Sequence, residues 1–276
     1  MSSPDDFADV RRDPDPIRRG RRATELLALY QQRSTELARL RREALEEAHR
    51  DLGLPYSQIA TALGITKGRV TQIRSTAPAP ARALFGVGPV TIVTPFRYPV
   101  TDRERPLLAA EDVAAGEAAK QLLESFDFVT RSVQIGPDDT ELPSGDLFII
   151  CGPKSSPAVR SLVDADPRLT IANDGEGWFV EDRQTQARHR SPSDTASENA
   201  DVAYVARRGD EGRVITHVAG LHAIGSLGAV EYLADSATEL YAATSGSDFS
   251  LLVQSGYEGL TIMSTAAIGQ PMYWEC

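Results

Sequence analysis

The stretch Tyr56-Ser-Gln-Ile-Ala-Thr-Ala-Leu-Gly-Ile-Thr-Lys-Gly-Arg-Val-Thr-Gln-Ile-Arg-Ser75 decides the fold of the first part of the chain. Its apolar positions Ile59, Leu63, Ile65, Val70 and Ile73, with small Ala60 where two helices must touch, fit two short helices separated by a turn. Gly64 between them can take the left-handed backbone that other residues resist, and it ends a supporting helix over Tyr56 to Leu63. Thr66 is a good N-cap for a second helix, Lys67 to Ser75. The spacing predicts a helix-turn-helix, two short helices packed nearly perpendicular.

With Val70 and Ile73 turned inward, the side chains left outside are Thr66, Lys67, Arg69, Thr71, Gln72 and Ser75, joined by Ser57 and Arg74. These residue types hold phosphates or read base edges, so the expected partner is double-stranded DNA. The segment resembles region four of the bacterial primary-type sigma factors and the related response-regulator DNA-binding domains. That resemblance covers about twenty residues and the helix before them, and it implies the same use of the second helix.

Charge points the same way. Residues 11–82 carry 15 Lys and Arg against 8 Asp and Glu, whereas residues 83–276 carry 14 against 28, in a chain of net charge −10. An acidic protein with one basic segment concentrates its DNA affinity there, because phosphate neutralisation supplies most non-specific binding energy.

A helix over Thr24 to Leu52, stopped by Gly53 and Pro55, is expected to pack on the pair. Its first turns, Thr24 to Gln32, keep spare apolar residues for a second subunit or for the rest of the chain. Residues 1–22, rich in Asp, Pro and Arg, read as a disordered arm, either phosphate-contacting or simply solvated. Residues 23–76 then form the helix-turn-helix domain, 77–89 a Pro- and Gly-rich linker, and 90–276 a larger domain.

In the larger domain short apolar runs alternate with helical periodicity: strands at Val90 to Thr94, Val129 to Ile135 and Asp146 to Cys151, helices at Ala109 to Phe126 and Pro157 to Ala165. Consecutive strands follow between 169 and 218, then a helix over Gly225 to Ala243 and strands at Asp248 to Gln254 and Leu260 to Ser264. The expected fold class is α/β: an N-terminal all-α domain, then a Rossmann-like domain with a mainly parallel sheet and an antiparallel insertion.

Two loops stand where open α/β sheets bind ligands. One places Gly152, Lys154, Ser155 and Ser156 after a strand and before a helix. The other repeats the arrangement with Gly220, His222, Gly225 and Ser226. Helix N-termini at such turns offer unpaired N–H groups to an anion. The first loop lacks the spacing of a P-loop, and the second has Ile224 where a hydrolase elbow needs Gly. The alternative is that the glycines only permit tight turns. Asp194, Glu198 and Asp201 are expected on a loop facing this pocket or solvent.

Gly-Pro-Lys-x-Ser-Pro at 152–157, Trp-x-x-x-Asp at 178–182, Ser-Pro-x-Asp at 191–194 and Gly-x-His-Ala-x-Gly-Ser-x-Gly-Ala at 220–229 resemble the C-terminal half of helix-turn-helix regulators of high-GC Gram-positive bacteria. Those regulators pair a DNA reader with a sensor. The resemblance does not say what that half binds.

The preferred expectation is a cytoplasmic transcriptional regulator whose α/β domain senses a small anionic, nucleotide-like ligand, with no cofactor, as a homodimer. Two alternatives stay open. One is an α/β enzyme acting on a phosphate-containing substrate, fused to the DNA-binding module, although no complete nucleophile, metal or P-loop signature is present. The other is a sigma-like adaptor that adds RNA polymerase as a partner. No apolar run is long enough for a membrane span, the first residues lack a signal-peptide pattern, and Cys151 and Cys276 read as free thiols.

Overall fold

The computed structural model describes residues 6–98, 105–196, 198–210 and 212–274. Contacts divide the chain into two compact units, Met1–Ala79 and Pro80–Cys276.

The first unit is helical: α1 (Asp6–Arg12), α2 (Pro16–Arg50), α3 (Tyr56–Ala62) and α4 (Lys67–Thr76). Residues 6–22, expected to be disordered, are folded into α1 and the start of α2. The reason is local. Asp15 caps α2 by accepting the amides of Ile17 and Arg18, and Pro16 supplies a first helical residue that needs no N–H partner. Buried Asp13 takes two hydrogen bonds from the Arg18 guanidinium at 2.6 and 2.8 Å, and Phe7 stacks on Tyr30 with centroids 5.5 Å apart. α2 therefore begins eight residues earlier than its apolar spacing predicts.

The core of this unit is Leu45 from α2, Ile59 and Ala60 from α3, and Val70 and Ile73 from α4. Gly64 between α3 and α4 has φ of +65°, as the turn requires. Thr66 caps α4 by accepting the amide of Arg69 at 3.1 Å. Leu63, expected in the core, is 54% exposed; it follows the last turn of α3, where its amide still reaches the Ile59 carbonyl.

The second unit opens with a 3-10 turn, Pro80–Leu84, in the region expected to be linker. Ala81, Leu84 and Phe85 are buried in the main core, and the guanidinium of fully buried Arg82 lies 3.5 Å over the Phe128 ring while donating to the Phe126 and Val87 carbonyls. The Asp146 carboxylate then collects the amides of Val87, Gly88 and Val214, each at 2.7 Å. Pro and Gly mark this stretch because it turns tightly, and these contacts bind it to the α/β unit.

Seven strands form one sheet in the order β10-β9-β7-β8-β3-β1-β2. They are β1 (Val90–Pro95), β2 (Thr130–Ile135), β3 (Asp146–Ile150), β7 (Ala200–Asp210), β8 (Arg213–Gly220), β9 (Phe249–Glu258) and β10 (Thr261–Tyr273). β1, β2, β3 and β8 are parallel neighbours; β7, β9 and β10 are joined by antiparallel pairing. Five strands thus share one direction, and β7 and β10 oppose it. A separate three-stranded sheet is made of β4 (Leu169–Asn173), β5 (Trp178–Asp182) and β6 (Arg188–Arg190). The expected antiparallel excursion is therefore split between that small sheet and the β7–β8 hairpin of the main one.

Helices α5 (Ala110–Ser125) and α8 (Ala223–Thr244) join the main core beside Phe148, Val218 and Leu251, while α6 (Pro157–Asp164) gives Ala158, Val159 and Val163 to two other clusters. A short helix α7 (Pro192–Thr195) precedes β7. Asp166, 1% exposed, accepts the amides of Arg168 and Leu169 and the hydroxyls of Tyr204 and Ser250, so its charge is buried but well solvated by protein donors. Among the described residues no helix is long and apolar enough to cross a membrane.

Candidate functional site

α4 presents an exposed polar face. Thr66, Lys67, Arg69, Thr71, Gln72, Arg74 and Ser75 are all exposed, as is Ser57 on α3, while Val70 and Ile73 are buried beneath them. Arg69 donates to the Gln72 side-chain oxygen at 2.7 Å, which fixes both side chains as a unit. The Arg74 guanidinium lies 4.3 Å from the Tyr56 ring centroid, a cation–π contact that keeps its charge at the surface. The Thr71 and Ser75 hydroxyls bond back to the carbonyls of Lys67 and Gln72.

In the α/β unit, β3 and β8 are adjacent and parallel, so the two glycine-bearing turns leave the same sheet edge side by side. Gly152, Lys154 and Gly220 line one cavity with Pro153, Ile171, Trp178 and Leu221. Its enclosed space, about 20 Å3, takes roughly one water molecule. Lys154 is exposed at its mouth, with Nζ 5.3 Å from the Trp178 ring centroid.

The other residues expected to line it are turned to other tasks. Ser156 is buried and caps α6 by accepting the Val159 amide at 3.2 Å, and Ser155 is buried beside it. Ser226 is buried and accepts the Gly220 amide at 2.9 Å. Gly225 is buried against Asp201: a Cβ there would stand 2.2 Å from Oδ2. His222 points its ring at Asp194, Nε2 to Oδ1 2.9 Å, and its amide at Asp201 Oδ2, also 2.9 Å. Asp194 sits on α7 and Asp201 on β7, fully buried, with only Glu198 left on an exposed connection. Burial raises the Asp201 carboxyl above the usual range, partly offset by the Ser191 hydroxyl and the His222 amide.

A cluster that the sequence did not single out lies beside Lys154. The chain leaves β1 through α5 to β2 on one side and returns to β3 on the other, so β1 and β3 flank the topological switch point of the parallel part. Arg97, just past β1, has its guanidinium 3.7 Å from the carboxylate of Asp112 in the first turn of α5. Arg97 is held there by two backbone hydrogen bonds with Leu107.

Asp112 is 3% exposed, and its Oδ2 makes no hydrogen bond. Burial pushes its carboxyl up to about 6, with Glu111 adding to the rise and Arg97 and Lys154 opposing it. Partial desolvation by the surrounding chain and the nearby Arg97 charge lower Lys154, which stays exposed, while Asp112 raises it. Two cations thus lie close enough to one buried acid for their charges to act on it, and the exposed Arg97 and Lys154 side chains give this end of the sheet the positive charge an anion needs. An Asp in a first helical turn reads in sequence as an ordinary dipole partner, so no motif betrays it.

His217 on β8 donates from Nε2 to the Cys151 carbonyl at 2.7 Å, and complete burial lowers its pKa to about 4. It is a neutral structural tie between β8 and the end of β3. Burial pushes the Cys151 thiol upward, which leaves it inert as a nucleophile; Cys276 lies outside the described residues. Among the described residues no group of three or more His, Cys, Asp or Glu is placed to hold a metal ion.

Compared with protein-family models, with curated proteins and with solved structures, the chain matches none.

Proposed function

We propose that the chain is a sequence-specific DNA-binding regulator whose α/β unit responds to a small anion. The carrying observation is the outer face of α4, where Lys67, Arg69, Gln72 and Arg74 stand exposed above buried Val70 and Ile73. A short helix held by its own apolar side and presenting amide and guanidinium groups outward suits the major groove. The excess of basic residues from 11 to 82 supports the same reading, since non-specific attraction to phosphate falls on this segment.

The anion reading rests on exposed Lys154 at the end of β3 and on Arg97 past β1, near enough for their charges to act on each other, beside the half-buried backbone of Gly152. A cavity with room for about one water favours a small charged group reaching Lys154 from the open side over a whole nucleotide enclosed between the turns.

Selection of duplexes from a random pool by the full chain tests the first part: recovery of one enriched sequence is expected, and a pool that stays random removes the reading. Binding of inorganic phosphate or of phosphomonoesters, followed by calorimetry with and without Lys154→Ala, tests the second.

A further inference from the structure

The last strand of the sheet is left open on one side. β10 pairs with β9 alone, and at 13 residues it is long for an edge. Soluble proteins blunt such edges with charged side chains, proline, bulges or very short strands, because unpaired N–H and C=O groups recruit another strand. Here no charged residue occurs from Leu260 to Trp274, in a chain where a quarter of residues are charged. Bulges interrupt the register between Ile262 and Ser264 and between Ile268 and Met272, with Pro271 in the second. Between them Ser264 to Ile268 runs regular, and its Ser264, Ala266 and Ala267 are exposed.

The flanks add apolar surface. Met263 is 60% exposed and Leu260 49%. Beside the strand runs a shallow groove of about 570 Å3, lined mostly by small or uncharged residues including Ala200, Gln254, Gly256 and Ala266, with Glu198 its single charge.

We propose that β10 is a homodimer interface, in which the Ser264 to Ile268 edge pairs antiparallel with the same edge of a second copy. The choice of a second copy follows from charge. Residues 83–276 carry 28 acids against 14 bases, so most approaches of two copies set acid against acid. Self-pairing along β10 is an approach in which every residue meets an uncharged one. A two-fold axis through the middle of the stretch is isologous and closes, so pairing stops at two chains. About an axis at Ala266, Ser264 faces Ile268, Thr265 faces Ala267 and Ala266 faces itself, so at least one small side chain stands in every pair and the two strands can approach without clash. Met263 and Leu260 are then drawn out of water at both ends. The inference is independent of the DNA reading.

Light scattering and sedimentation of the full chain without DNA test it. The wild type is expected to be a dimer at tens of micromolar. Ala266→Glu and Ala266→Lys, which set like charges opposite each other near the axis, are each expected to be monomeric with unchanged circular dichroism and melting temperature. Mixing the two variants is expected to restore a dimer, since Lys then faces Glu; this recovery separates a broken interface from a damaged fold. A monomeric wild type, a dimer that survives in both variants, or a mixture that stays monomeric overturns the proposal. A surviving dimer would move the contact to another surface, such as exposed Leu27 on α2.

Discussion

The Ser226 hydroxyl oxygen accepts the amide proton of Gly220 at 2.9 Å, closing the turn between β8 and α8 from within. A serine at the start of a helix after a glycine-rich turn has the composition of an anion site, yet this one is consumed by the turn itself. At Gly220 an added Cβ would lie 2.1 Å from the His222 carbonyl oxygen and 2.5 Å from the Ser226 amide, both backbone atoms that cannot step aside. Gly220→Ala is therefore expected to cost about 1–3 kcal/mol or more by forcing the turn apart. Ser226→Ala should cost about 1–3 kcal/mol by leaving the Gly220 amide without its acceptor. Urea unfolding measures both; an unchanged midpoint in either would mean that the turn is looser than its geometry.

Asp112 and His217 give stability two opposed pH slopes. Asp112 rises from 3.8 to about 6 on folding, so between these values the folded state holds more protons and stability falls as pH rises. His217 drops from 6.5 to about 4, so across that window the unfolded state holds more protons and stability rises with pH. Each shift corresponds to roughly 3 kcal/mol, and in the wild type they largely cancel between about pH 4 and 6. Asp112→Asn removes the falling slope. The variant is expected to gain stability steadily from pH 4.5 to 6.5 relative to wild type and to be more stable above pH 6; parallel curves for the two proteins would refute the assignment.

Much of the α/β unit was legible because its inner strands are nearly continuous apolar runs: Asp146-Leu-Phe-Ile-Ile gives five buried residues in a row. β10 was seen only at its start, since Thr-Ala-Ala-Ile-Gly-Gln has neither a buried run nor an alternation, and an edge strand is held mostly by backbone pairing with its neighbour. That each glycine-bearing turn follows a strand and opens a helix is legible in the sequence, but that the two share a sheet edge depends on strand order, and whether their serines face outward depends on hydrogen bonds that no spacing encodes. Arg97 and Asp112 were invisible for a related reason: they meet through tertiary structure, 15 positions apart, across a connection that carries no motif.

Lys154 and His222 were expected to act together on an anion, and their geometry separates them. His222 is engaged with Asp194 in an exposed pair, worth about 0–1 kcal/mol at most even when charged, whereas Lys154 lines the cavity with Gly152 and Gly220, from which the His222 side chain is absent. Lys154→Ala is expected to weaken phosphate or phosphomonoester binding at least tenfold in calorimetry. His222→Ala should leave that binding within about twofold and stability within about 1 kcal/mol. Equal losses in the two variants would return His222 to the site.

Arg69 and Gln72 test the DNA reading most directly, because they are exposed on one face of α4 and bonded to each other at 2.7 Å. A well-formed base contact is worth about 1–3 kcal/mol of discrimination, so Arg69→Ala or Gln72→Ala should weaken binding to the selected duplex about tenfold or more. Neither change should alter melting of the free protein, since neither side chain is in the core. The shared hydrogen bond makes the effects non-additive: once one partner is gone the other is already misplaced, so the double variant should lose less than the two single losses combined. Lys67→Ala is expected to behave differently. A phosphate contact carries no sequence information, so affinity should drop alike on selected and random duplexes, with the salt dependence shallower by about one ion. Anisotropy titrations at several salt concentrations read all four variants, and an Arg69→Ala protein that keeps its full preference for the selected sequence would take α4 out of the readout.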